Sequence, residues 1–266
     1  MKTHMQLGMP TLIEGPTIEQ SVQLCTELGL DFVEINMNLP EYQLDVINAS
    51  YVCELLRKTG KYITIHLDEN INVCDFNTIV ANACFDTVLQ TIELAKTIGA
   101  PIINMHMSAG VRFSLPDRKV HLFEQYVDRY LGELCRFRDA CEVAIGNSDV
   151  TICIELGGVM RYEYLCKGVK LLQKSRVFGL TYDIWHDFRF GNSDKAYVLE
   201  NVDRLKHMHI HDSTLTSDHL PFGEGNLDLA EYFALAKKAD CRAVLEVKTV
   251  EGLKNSAEWI NKMRSD

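Results

Sequence analysis

Thr151-Ile152-Cys153-Ile154-Glu155-Leu156 and Phe178-Gly179-Leu180-Thr181-Tyr182-Asp183-Ile184 are short apolar runs that close on a carboxylate. Each has the length of a strand. Because a strand alternates its faces with period two, Cys153 shares a face with Glu155, and Thr181 with Asp183. The same design recurs to either side. Residues 62–67 place Thr64 with His66, and residues 101–107 place Asn104 with His106. Residues 205–212 place His207 with His209, and residues 241–248 place Val244 with Glu246. All six runs therefore end in a side chain that can bind a divalent metal, and one interior would collect them.

Two further strands are expected near residues 5–9 and 32–35, the second ending at Glu34. Between the strands, apolar residues recur with helical period over 17–28, 45–58, 78–98, 118–144, 162–174, 195–201, 229–238 and 251–263. Thr17 with Gln20 has the spacing of a capping box, and Gly29, Gly60, Gly99 and Gly146 stand where helices should stop. Eight strand-helix units predict a single (β/α)8 TIM barrel over residues 1–266. No Pro/Gly/Ser-rich stretch, charge block or repeat marks a boundary. Connections leaving the strands are the long, polar ones: 68–77, 108–117, 185–194 and 213–228. In a barrel these loops crown the carboxyl ends of the strands, where the candidate ligands also lie.

With 266 residues and 47% hydrophobic composition, the chain can bury a full barrel core. The opening MKTHMQLGMP lacks the apolar segment of a secretory signal, and no apolar run approaches the roughly 20 residues that span a bilayer. A cytoplasmic protein with no membrane partner is expected. The nine cysteines form no Cys-x-x-Cys pair and read as reduced thiols, Cys153 among them as packing. A net charge of -10 disfavours a nucleic-acid partner, because duplex binding draws on phosphate neutralisation by Lys and Arg. Arg136 with Arg138, the group Arg112, Arg118 and Lys119, and Arg189 read as surface residues. Oligomeric state is left open, a homo-oligomer included.

Glu155, Asp183, His209 and Glu246 come from the fifth to the eighth strand. Three carboxylates and one imidazole suit Mn2+, Zn2+, Co2+ or Mg2+ better than a soft metal. A single buried polar residue is usually satisfied by a hydrogen bond. Three ionised carboxylates at one barrel mouth are different, since they repel unless a cation or protons compensate them. His66 and His106 are further candidates, as metal ligands or substrate contacts. His186, His219 and Glu34 are expected to contact substrate. His207 and His211 share the alternation of His209, so strand register decides which of the three meets the metal.

The chain resembles the xylose isomerase-like TIM barrel superfamily. The likeness covers nearly its whole length. It is carried by Ile154-Glu155-Leu156-Gly157-Gly158, Tyr182-Asp183-Ile184-Trp185-His186, His209-Ile210-His211-Asp212-Ser213, the loop from His219 to Gly225, and Leu245-Glu246. In the sugar isomerase and epimerase branch, the resemblance implies that Glu155, Asp183, His209 and Glu246 hold one divalent metal. It also implies that Glu155 and Glu246 move protons on opposite sides of a sugar or polyol. The same scaffold serves inosose dehydratases. An endonuclease IV-like abasic-site nuclease with three zinc ions is the alternative, matched at His66, His106, Glu155, Asp183, His186, His209, His219 and Glu246. The departure from that pattern is Ser217, where the nuclease has an aspartate.

Overall fold

The seam decides whether a parallel sheet closes. In this computed structural model, which describes residues 5–265, Leu7 and Gly8 of the first strand pair with Ala243 and Val244 of the last. The result is a closed (β/α)8 barrel of parallel strands: β1 Leu7–Pro10, β2 Phe32–Asn36, β3 Tyr62–His66, β4 Ile102–Met105, β5 Thr151–Leu156, β6 Phe178–Asp183, β7 Leu205–Ile210 and β8 Arg242–Leu245. Strands so enclosed are buried on both faces, and every residue of β6 is buried, Thr181 and Asp183 included. The first four residues of the expected domain, and Asp266, lie outside the described residues.

The main helices follow the strands: α1 Ile18–Glu27, α2 Ala49–Thr59, α3 Thr78–Ile98, α4 Val127–Ile145, α5 Glu163–Leu172, α6 Lys195–Glu200, α7 Leu229–Ala239 and α8 Val250–Ser265. The capping box at Thr17 and Gln20 forms as the spacing predicts. Gly60 and Gly99 end α2 and α3 in the left-handed conformation that only glycine adopts without penalty. Helix α2 begins later than its expected residue 45, because the Asn48 side chain caps the amide of Tyr51.

One expected helix is corrected. Residues 118–121 do not open α4; Lys119–His121 pairs antiparallel with Arg112–Ser114 in a hairpin above the barrel. Pro116 and Asp117 supply the turn, closed by Leu115 N–H donating to the Arg118 carbonyl at 2.7 Å. A single helical turn, Leu122–Gln125, follows, and Tyr126 at φ -118°, ψ 44° breaks it from α4.

The amino-terminal end of the barrel is plugged. The Phe32 ring stacks on Tyr62 at 5.0 Å, and a Cβ added to Gly8 would stand 2.3 Å from that ring. Gly8 is thus required by packing, and Phe32→Ala would cost about 3–5 kcal/mol. A ligand must therefore enter from the carboxyl end.

Candidate metal centre

At that end the pairing of β6 with β7 sets Asp183 beside His209 and Thr181 beside His207. This register answers which histidine of β7 reaches the centre. His209 Nδ1 lies 3.3 Å from Glu246 Oε2, 3.6 Å from Glu155 Oε2 and 3.9 Å from Asp183 Oδ2. All four residues are buried. His207 sits one layer lower, against Glu34, and His211 lies beyond the strand end.

Hydrogen bonds assign the protons on the rings. His209 Nε2–H donates to Glu34 Oε1 at 2.9 Å, so Nδ1, which faces the three carboxylates, is the nitrogen whose lone pair a cation would take. Glu34 Oε2 accepts from His207 Nε2–H at 2.7 Å and from the Thr64 hydroxyl at 3.0 Å. Both oxygens of Glu34, expected to touch substrate, are thus occupied beneath the centre. His66 Nδ1–H donates to the Leu67 carbonyl at 2.7 Å, leaving Nε2 free 3.6 Å from Glu155 Oε2. His106 Nε2 is 3.4 Å from the same oxygen, and Asn104 Nδ2 donates to it.

Asp183 does two things at once. Its Oδ1 caps the short helix Ile184–Arg189 by accepting His186 N–H at 2.8 Å, which sets His186 over the centre. Its Oδ2, like His209 Nδ1 and Glu246 Oε2, is buried with no hydrogen-bond partner among the described residues. One ligand atom from each of Asp183, His209 and Glu246 falls within 4.8 Å of the others, and the same holds for Glu155, Asp183 and His186. Unpaired buried oxygens around an imidazole lone pair are the donor set of a hard or borderline divalent cation, and the residues present fit one. The Nε2–H contact of His209 with Glu34 is the support a metal-bound imidazole needs.

Electrostatics show the strain of holding these charges together. Burial, reinforced by Glu246 and Glu155, pushes the Asp183 carboxyl well above its ordinary range. Burial works against ionised Glu155 and Glu246 too. His106 and His209 hold the former well below the carboxylate range, and His209 with Lys248 holds the latter there. His209 is itself raised well above its usual value, since Glu246, Glu34 and Glu155 outweigh the burial that opposes its charge. Without a cation, protons on Asp183 and His209 compensate the cluster, as the repulsion argument requires.

Loops over the centre are pinned by two buried aspartates that sequence reasoning passed over. Asp194 accepts the amides of Gly158, Val159 and Met160, each at 2.8 Å. Asp212 accepts those of Ser213, Gly223 and Leu227, and thereby shapes the loop that carries His219. Gly157 lets His186 approach: a Cβ there would lie 2.5 Å from the His186 Cβ. His219 Nδ1–H donates to the Glu246 carbonyl at 2.9 Å. Lys248, also missed, sits 2.7 Å from Glu246 Oε1; its signal was spacing, two residues beyond Glu246 where the chain leaves β8. Arg189 stays exposed with its guanidinium over Trp185.

The family model described as xylose isomerase-like TIM barrel matches residues 22–263. The chain belongs to the xylose isomerase-like TIM barrel family. Similar solved structures share this family's fold at low identity. One is a D-tagatose 3-epimerase-like protein, with TM-score 0.78 and 22% identity over 98% of this chain and 97% of that one. Another is the 3-keto-D-glucoside 4-epimerase YcjR of E. coli, with TM-score 0.76 and 16% identity over 99% and 100%. A third is the IolI protein with a bound zinc atom, with TM-score 0.74 and 17% identity over 98% of each chain. No curated protein sequence matches. Among the described residues, no helix is long and apolar enough to cross a membrane.

Proposed function

We propose that this xylose isomerase-like barrel is a divalent-metal-dependent isomerase or epimerase of a sugar or polyol, acting by proton transfer next to a carbonyl. One observation carries the proposal: Glu155 Oε2 and Glu246 Oε2 flank the same His209 nitrogen, at 3.6 and 3.3 Å, one from β5 and the other from the end of β8. Glu155, Asp183, His209 and Glu246 would hold the cation, which is Mn2+, Zn2+, Co2+ or Mg2+ by the chemistry of the donors. Such an ion supplies polarisation of a carbonyl and its neighbouring hydroxyl, which acidifies the intervening C–H.

The chain's own groups do the rest. Of the two glutamates, one removes the proton from the carbon beside the carbonyl and the other returns a proton to the opposite face or to the neighbouring carbon. Both are ionised as the environment sets them, and Lys248 holds one oxygen of Glu246 so that the other faces the site. His66, His106, His186 and His219 ring the mouth as contacts for hydroxyl oxygens. Glu34 orients His209 from below. Ketoses such as D-tagatose and D-allulose, named for similar structures, are the first substrates to try.

Solvent deuterium uptake into those ketoses tests the assignment. The Mn2+-loaded wild type is expected to exchange a carbon-bound hydrogen, and Glu155→Gln and Glu246→Gln to lose that exchange. Unchanged exchange in both variants defeats it. Metal analysis separates the nuclease alternative: about three zinc ions per chain with salt-sensitive DNA binding would favour it, whereas one ion and no DNA affinity fits the epimerase. Ser217, exposed in the loop before His219, provides no carboxylate for a third zinc.

A further inference from the structure

His211 is fully buried beyond the end of β7, its ring 4.3 Å from that of His219 and 6.1 Å from that of Trp185. The backbone N–H of His219 donates to His211 Nδ1 at 3.0 Å. The Asp212 carbonyl also lies 3.2 Å from this nitrogen, but a backbone amide always brings its own hydrogen, and a ring nitrogen that accepts one has no proton to give, so the neutral ring bears its proton on Nε2. That Nε2 is buried and has no hydrogen-bond partner among the described residues. Its nearest carboxylate oxygen, Asp183 Oδ1, is 4.0 Å away, beyond hydrogen-bond reach, and already accepts His186 N–H.

His211, His219 and Glu246 bring ligand atoms within 4.8 Å of one another, which resembles a second metal triad. The proton on His211 Nε2 argues against it, because a protonated nitrogen has no lone pair for a cation. What remains is an N–H aimed into the mouth between Asp183 and Glu246, and buried donors left unpaired by the protein are completed by something else.

We infer that His211 is a substrate-binding residue whose Nε2–H donates a hydrogen bond to a hydroxyl or carbonyl oxygen of the ligand. The inference rests on the epimerase reading for the identity of that ligand, a neutral ketose. His211 closes the β7 side of the site, across from His66 at the end of β3 and His106 just past β4. The loop carrying His219 fixes its tautomer, so the donor is set before the ligand arrives.

Two measurements test this. Nitrogen-15 spectra of the imidazoles in metal-free wild type should show His211 as the Nε2–H tautomer, with that proton moving downfield when D-allulose is added to the Mn2+-loaded protein. His211→Leu removes the donor and should lower kcat/KM for D-allulose by about tenfold or more, mainly through KM, at unchanged metal content. His211→Gln restores both an acceptor for His219 N–H and a donor near Nε2, and should return to within about threefold of wild type. An Nδ1–H tautomer, an H211L enzyme with wild-type kcat/KM, or an H211Q enzyme as weak as H211L would each overturn the inference. If H211L does not fold, the tautomer and the H211Q kinetics decide. A wild type that turns over no ketose overturns the epimerase reading itself, a result distinct from a wild type that is active and indifferent to residue 211.

Discussion

Two buried glutamates in one barrel are treated in opposite ways. Glu34, in the lower layer, has both oxygens filled by His207, His209 and Thr64. Glu246, in the layer above, has one oxygen on Lys248 and the other on nothing. Residue type and burial are shared, so what separates support from reactivity is whether the protein itself satisfies the group. The lower layer is finished by folding; the upper waits for a ligand.

The largest effect should come from neutralising the upper glutamates. Glu155→Gln and Glu246→Gln are each expected to reduce ketose isotope exchange about 10³-fold or more, as loss of a proton-transfer group does. An equal loss on Glu34→Gln with metal still bound would erase the distinction between layers. Next comes the response to metal. Mn2+ at about 100 times its Kd should stabilise the wild type by about 2.7 kcal/mol over chelator-treated protein. Asp183→Asn should lose that gain while leaving the chelator-treated protein no less stable, because without a cation the carboxyl is already held neutral and the amide oxygen can still cap His186 N–H; a metal-induced rise in Tm that survives in D183N would break the assignment.

Glu34→Gln is a finer probe. It should weaken Mn2+ binding about 10–100-fold by loosening His209, and isothermal titration reads this directly. The smallest effect concerns the thiols. Burial pushes Cys25, Cys74 and Cys241 up to about 12, and Cys141 and Cys153 higher still. These five should stay unreactive towards a colorimetric disulfide reagent until the barrel unfolds, while the less buried Cys53, Cys84, Cys135 and Cys166 react first. Rapid labelling of Cys153 would mean that the floor below the centre is open.

The barrel was legible because parallel strands and their covering helices imprint two periods on the chain. Convergence of Glu155, Asp183, His209 and Glu246 followed from period two and strand ends alone. Glu34 looked equivalent because it was expected to close a strand, yet β2 runs on to Asn36, and pairing with Thr64 sets Glu34 a layer lower. His207, His209 and His211 were indistinguishable for the same reason. The hairpin at 112–121 hid inside a helical pattern because it is short and exposed, and only Pro116-Asp117 marked its turn. Asp194 and Asp212 left no periodic trace, since their partners are backbone amides, most of them ten or more residues away.

The hold of Asp212 on the loop above the site has an evolutionary consequence. It grips the main-chain nitrogens of Ser213, Gly223 and Leu227, which every residue but proline possesses. Within the exposed tip the Thr214 hydroxyl holds the amides of Thr216 and Ser217, so positions 215, 216 and 218 can trade side chains without losing the frame, and diversifying those three offers a direct route to new ligand preferences on an unchanged barrel.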